Sequence, residues 1–175
     1  MTGSHKDIVT NSESDTRVLV AIPTLFTRDT LRNEIEGLER QTIPPDKILL
    51  ITPKGDIGKD WEEFLAGRKK VELVYLDNYT REEVLSKIKD SRIDARNYAL
   101  HRATHEFKDD DIIVFLDDDC PLDANWIEVA ISNLKADGVG GFMGKTIHYR
   151  DHGKLRSLEE TGLNIIKYLF GTNRV

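Results

Sequence analysis

Short apolar runs alternate along this chain with stretches whose apolar residues recur every three or four positions. "RVLVAIPT" (17–24), "KILLIT" (47–52), "VELVYL" (71–76) and "DIIVFLD" (111–117) are nearly continuous apolar runs. Runs of that length predict strands buried on both faces. Leu31, Ile35 and Leu38 share one face of a helix that Thr27 is placed to cap and Pro44-Pro45 breaks. Gly55 and Gly58 open a turn, and Trp61, Phe64 and Leu65 mark a short helix. "TREE" (80–83) has capping-box spacing and is followed by Val84, Leu85 and Ile88. Ser91 starts a further helix with Ala95, Ala99 and Ala103 at i, i+4 and i+8, a spacing that lets a helix approach a sheet closely. Asp123 starts a helix carrying Ile127, Ile131 and Leu134, which Gly138 ends, and "GGFMGKTIHY" (140–149) predicts a fifth strand.

This alternation predicts an α/β fold of three layers, α/β/α, with a mostly parallel, Rossmann-like central sheet. Residues 16–150 form one domain in this reading. Residues 1–15 are a polar leader, and 151–175 add an amphipathic helical segment, "SLEETGLNIIKYLF", to the same domain. Its "KYLF" end allows peripheral membrane contact, although packing on the sheet is the simpler use. In parallel sheets ligands bind beyond the carboxyl ends of the strands. That rule selects residues 23–27, 52–56, 77–78 and 117–119.

Charge and composition narrow the function. Charged residues make up 32% of the 175, and the net charge is −6. That balance argues against general affinity for nucleic acid. No run approaches the about 18 apolar residues of a membrane span. The single cysteine, Cys120, excludes an intrachain disulfide and a cysteine metal cluster, and fits a cytoplasmic setting. As a small apolar residue it would sit behind the acids that precede it.

Those acids are the main chemical signal. Asp117, Asp118 and Asp119 stand side by side where a buried strand ends. Adjacent carboxylates repel, and removing them from water without a partner is costly. Carboxylates at i and i+2 can turn to one point if the chain bends, and hard oxygen ligands suit Mn²⁺ or Mg²⁺. A helix-start role is open to Asp119, but does not account for three acids. A phosphate-binding loop of the Gly-x-x-x-x-Gly-Lys-Ser/Thr type is absent. A phosphatase Asp-x-Asp nucleophile would follow the first strand, and a receiver domain needs an early acidic pair. Here the first strand ends "AIPTLFT". His148 and His152 have i, i+4 spacing, but Gly153 and the strand-like run before His148 argue against the continuous helix a zinc pair would use.

Four segments, in order, resemble family 2 glycosyltransferases, inverting enzymes of the GT-A nucleotide-sugar fold. They are "VLVAIPTLFTRDTL", "LERQTIPPDKILLI", "ARNYALHRATHE" and "IIVFLDDDCPLDANWIE", spanning about residues 17 to 147. The resemblance implies a GT-A-like fold, and a donor such as a UDP-, GDP- or dTDP-sugar. It also implies an unknown hydroxyl acceptor and a divalent cation, Mn²⁺ or Mg²⁺. It implies that Asp117 and Asp119 form an Asp-x-Asp pair. Asp117 would lie near the donor ribose, Asp118 beside it, and Asp119 on the metal, with Asp117 as its fellow ligand. Pro23 and Thr24 would lie along the nucleoside, and Arg28, Arg96 and Asn97 would face the donor. For Arg96 a plain surface pair with a neighbouring acid is the competing use.

Two departures from the family's pattern stand out. The acidic turn that usually ends the second strand is "ITPKGDIGKD" here, where Asp56 would stand in beside Lys54. The catalytic base lies beyond the fifth strand in the family, and neither Glu159 nor Glu160 is assigned to it. The expected function is therefore metal-assisted sugar transfer. The alternative is a non-catalytic nucleotide-sugar-binding module, or a truncated half-enzyme lacking the base. A nucleotidyltransferase is disfavoured, because the first strand lacks a Gly-rich, Arg-containing loop.

Overall fold

In a computed structural model the described residues are 16–87, 89–108, 110–135, 147–148 and 156–157. The chain divides into two compact units, Met1–Ile127 and Glu128–Val175. The first unit holds the four anticipated strands: β1 (Val18–Pro23), β2 (Lys47–Lys54), β3 (Val71–Thr80) and β4 (Ile112–Phe115). They form one sheet in the order β3-β2-β1-β4, with every pairing parallel. Its helices are α1 (Thr30–Glu39), α2 (Lys59–Leu65), α3 (Arg81–Leu85) and α4 (Arg92–Glu106). Helix α5 (Trp126–Leu134) starts at the end of this unit. In the second unit β5 (Ile147–His148) and β6 (Arg156–Ser157) pair antiparallel.

β1 and β2 are buried on both faces, as central parallel strands must be. Leu19, Ala21, Leu49 and Ile51 point to one face, where they cluster with Val74, Leu76 and the α4 residues Ala95 and Ala99. Val18, Val20, Ile22, Ile48 and Leu50 alternate with them and are equally buried. The small alanines bring α4 down onto the sheet. A charged cluster then fixes its far end. Arg102 donates to Glu72 of β3 (2.8 Å) and to Glu106 (2.5 Å), and Lys47 of β2 reaches Glu106 at 2.8 Å.

Several boundaries differ from expectation, for identifiable reasons. Thr27 does not cap α1. Thr24 Oγ1 accepts from the Phe26 N–H (3.0 Å), and Phe26 has φ 54°, so the chain turns first and Asp29 takes the cap position. α1 ends at Glu39, before Pro44. β3 runs on to Thr80 because its ladder with β2 slips: Pro53 pairs with Leu76, but Lys54 with Thr80. The extra residues bulge out and carry Thr80 and Arg81 back beside Lys54. The expected capping box forms there between Thr80 and Glu83. Outside the described residues lie the leader, Ile88, the stop at Gly138, most of the 140–149 run, His152 and the amphipathic segment after Ser157.

Gln41 ties α1 to the loop after β4. Its buried amide donates to the Asp123 carbonyl (2.7 Å) and accepts from the Ile127 N–H (3.1 Å). The Thr42 N–H adds a bond to the Ala124 carbonyl at 2.8 Å. Replacing Gln41 with Ala leaves the Ile127 N–H unmatched and removes one of two hydrogen bonds to the Asp123 carbonyl, which keeps the Trp126 N–H. The expected loss is about 1–3 kcal/mol of unfolding free energy, read from the denaturant midpoint. A loss inside the about 0.5 kcal/mol typical of surface changes would contradict this role.

Candidate functional site

The strand order sets the position of the site. The chain builds β1, β2 and β3 outward in one direction and then returns to place β4 on the other side of β1. β1 connects to β2 on one side while β4 lies on its other side, the arrangement in which parallel sheets bind ligands in a crevice beyond the strands' carboxyl ends. Pro23 and Thr24 end β1 at this crevice, and Asp117, Asp118 and Asp119 follow β4.

The three aspartates do not face the same way. Asp118 is the least exposed, with 17% of its side chain accessible. It accepts from Thr24 Oγ1 at 2.9 Å and lies 3.5 Å from Arg28 Nε. Its carbonyl accepts from Thr30 Oγ1 (3.1 Å). Asp117 and Asp119 are more open. Arg96 Nη2 donates to Asp117 at 2.8 Å, and Arg28 Nη1 donates to Asp119. Arg96 follows the buried Ala95 on α4, which sets it at the edge of the packed face nearest the acids. Arg28 is carried by the turn around Phe26. That ring packs edge-on to Trp61 at 5.1 Å, and Arg32 lies over Trp61. The fold thus brings Thr24, Arg28, Arg96 and the three aspartates together, with Pro23 at the strand end beside them. Asn97 is exposed, and no hydrogen bond among the described residues ties it to the acids. Asp56 belongs to a separate cleft at the end of β2, where its Oδ1 accepts from the Gly58 N–H (2.7 Å).

Glu34 is a member of this region that sequence reading missed. It lies on the buried face of α1 with Leu31, Ile35 and Leu38, and is 2% exposed. Neither carboxyl oxygen has a hydrogen-bond partner. The Cys120 N–H lies close enough to favour the charged form slightly, but its hydrogen bond goes to the Asp117 carbonyl (3.3 Å). Burial, and then the charges of Asp118, Asp119 and Asp117, push the Glu34 pKa up to about 8. The sequence signal was present: an acid stands where helical periodicity requires an apolar residue. Cys120 is half-buried next to Asp119, with Sγ 3.7 Å from Oδ1. Burial and the charges of Asp119, Asp117 and Glu34 push its thiol up to about 11, so it stays uncharged at neutral pH.

The donor set suits a hard divalent cation in kind: carboxylate oxygens, whose charges add to burial in raising the Glu34 pKa. Among the described residues no three His, Cys, Asp or Glu side chains are arranged to hold one by themselves. Two carboxylates would leave the remaining positions to water and phosphate oxygens, as is common for Mg²⁺.

Glu34 also predicts a pH response. An unfolded Glu titrates near 4.5 and the folded one near 8, so only the folded state holds this proton in between. The contribution of Glu34 to stability is then full below about pH 4.5 and falls as pH rises toward 8, by on the order of a few kcal/mol. Glu34→Gln is expected to flatten that decline in unfolding titrations at pH 5 to 8. An unchanged slope would contradict the assignment.

Comparison with known proteins adds the family. None of the curated proteins compared matches this chain. Among solved structures, a 4-diphosphocytidyl-2C-methyl-D-erythritol synthase aligns over 84% of this chain and 70% of its own. The identity is 14% and the TM-score 0.49. The family model for Glycosyl transferase family 2 matches residues 67–174, more than half of the chain. That span holds β3, α4, β4, Arg96 and all three aspartates, while β1, α1 and β2 lie before it. The chain belongs to Glycosyl transferase family 2.

Proposed function

We propose that the protein binds a nucleotide-sugar donor at the crevice between β1 and β4 and transfers its sugar to a hydroxyl acceptor. The observation that carries this reading is the pairing of the three aspartates with Arg28 and Arg96, which come from two different elements. Both guanidiniums are exposed enough to turn, and each is matched in shape to phosphate oxygens. In the resting site they offset the carboxylates, with Arg92 adding to the positive charge felt by Asp117. When a diphosphate enters, Arg28 and Arg96 exchange a carboxylate for phosphate oxygens. Asp117 and Asp119 are then free to hold Mn²⁺ or Mg²⁺. A cation bound there would neutralise charge on the departing diphosphate. Thr24, fixed by Asp118 and by its own N–H to the Ile51 carbonyl (2.9 Å), lines the path of the nucleoside with Pro23. The family resemblance also assigns Asn97, beside Arg96 on α4, and Asp56, after β2, to donor binding.

The acceptor's hydroxyl must lose its proton to a carboxylate base as it attacks the anomeric carbon. The residue that takes this proton is not assigned. For that reason a module that binds donors without turnover is the second reading, and one assay separates the two. The enzyme reading expects Mn²⁺-dependent release of nucleoside diphosphate from at least one of a panel of sugar nucleotides. Donor binding without release, across donors and acceptors, selects the module.

Within an active protein, Asp119→Asn is expected to lower turnover by about 10²–10³-fold, as loss of one electrostatic stabiliser does. Arg96→Ala is expected to act mainly on donor binding, raising KM about tenfold. Unchanged kinetics in both variants would rule out this site.

A further inference from the structure

Helix α4 carries two histidines that no part of the proposed reaction uses. His101 and His105 stand at i and i+4, so both project from one side of the helix. Both are exposed. Their rings stack, with centroids 4.2 Å apart and planes inclined by 30°. Hydrogen bonds fix the second ring. His105 Nδ1 lies 2.7 Å from the His101 carbonyl and 3.2 Å from Thr104 Oγ1. A carbonyl can only accept, so Nδ1 carries the proton. Thr104 gives its own hydroxyl proton to the same carbonyl at 2.8 Å, which leaves its oxygen to accept from Nδ1. The neutral His105 ring therefore presents Nε2 as a free lone pair. Metal-ligating histidines are held in the same way, by donating the other ring N–H to a backbone carbonyl or its equivalent. The helix beneath is firmly seated. Ala95 and Ala99 are buried against the sheet, and Arg102 and Glu106, which flank this turn, pair with Glu72 and Lys47.

A histidine in the last turn of a helix ordinarily bonds a nearby carbonyl and complements the dipole. That use accounts for His105. It gives no reason for a second imidazole stacked on it from one turn earlier. We infer that His101 and His105 form a surface site for a borderline transition-metal ion, Zn²⁺, Ni²⁺ or Cu²⁺, bound by one nitrogen of each ring with water in the remaining positions. Imidazole suits these ions, whereas the oxygens of Asp117 and Asp119 suit Mn²⁺ or Mg²⁺. Two nitrogens on a tetrahedral zinc lie about 3.3 Å apart, a spacing that the stacked rings reach by small rotations. The two places are distinct. His101 and His105 follow Arg96, which meets Asp117, by five and nine residues, about 8 and about 14 Å along the helix axis. One ion cannot serve both. The rings are brought together only while α4 is folded, so the ion binds the native protein in preference and stabilises it. The site stands independently of the donor reading.

The test is titration of Zn²⁺ into the metal-free protein, read by calorimetry and by the thermal unfolding midpoint. Wild type is compared with His101→Ala, His105→Ala, His148→Ala and Asp119→Ala. Both α4 positions are exposed and alanine is a strong helix former, so these two variants keep the fold, which circular dichroism checks. Wild type is expected to bind one equivalent of Zn²⁺ that either α4 variant weakens tenfold or more. Its midpoint is expected to rise with Zn²⁺, and theirs to stay where it is. His148→Ala and Asp119→Ala are expected to keep both responses, and excess Mg²⁺ to leave the ion in place. Equal zinc affinity in wild type and the α4 variants overturns the inference. So does loss of the site in His148→Ala or Asp119→Ala, or a wild type that takes up no Zn²⁺.

Discussion

Three carboxylates placed side by side at the end of a buried strand are a problem in electrostatics, and much of the local structure answers it. Each aspartate has its own arrangement. Asp118 turns inward to Thr24, Asp117 meets Arg96 and Asp119 meets Arg28. Three negative charges against two positive ones leave an excess. Burial, with that excess added, keeps the Glu34 carboxyl neutral and the Cys120 thiol protonated. A region in this condition favours an incoming cation and can release two guanidiniums to an incoming anion. A metal-bound diphosphate brings both.

The rest of the fold holds these groups in place. The order β3-β2-β1-β4 puts the ends of β1 and β4 next to each other, so Thr24 reaches Asp118 across 94 residues of sequence. Phe26, in a left-handed conformation and packed on Trp61, turns the chain so that Arg28 points back to the acids. Gln41 pins the segment after the aspartates to the end of α1. Ala95 and Ala99 let α4 sit close to the sheet, which brings Arg96 within reach. These contacts join distant parts of the sequence and converge on one crevice.

Much of this was legible beforehand because it depends on local pattern. Continuous apolar runs identified β1, β2, β3 and β4, and the alanine spacing identified the packed face of α4. The acidic triplet after β4 pointed to the candidate site, because three adjacent carboxylates at the mouth of a buried strand need compensating positive charge. The misses have a common cause. Thr27 has a good capping side chain, but the Thr24–Phe26 turn, which depends on Asp118 far along the chain, delays the helix. Glu34 owes its state to burial by residues distant in sequence, and no spacing rule carries that information. Asn97, which the family pattern turns toward the donor, is exposed, and among the described residues no hydrogen bond ties it to the acids.

The central claim is that Asp117 and Asp119 hold a cation that couples to a nucleoside diphosphate. Its most direct test is titration of UDP, GDP and dTDP into wild type and Asp119→Ala, each with and without Mn²⁺. The account predicts that Mn²⁺ strengthens binding of at least one nucleotide to wild type by tenfold or more, and that Asp119→Ala abolishes the gain. Metal-enhanced binding that survives Asp119→Ala unchanged would contradict it.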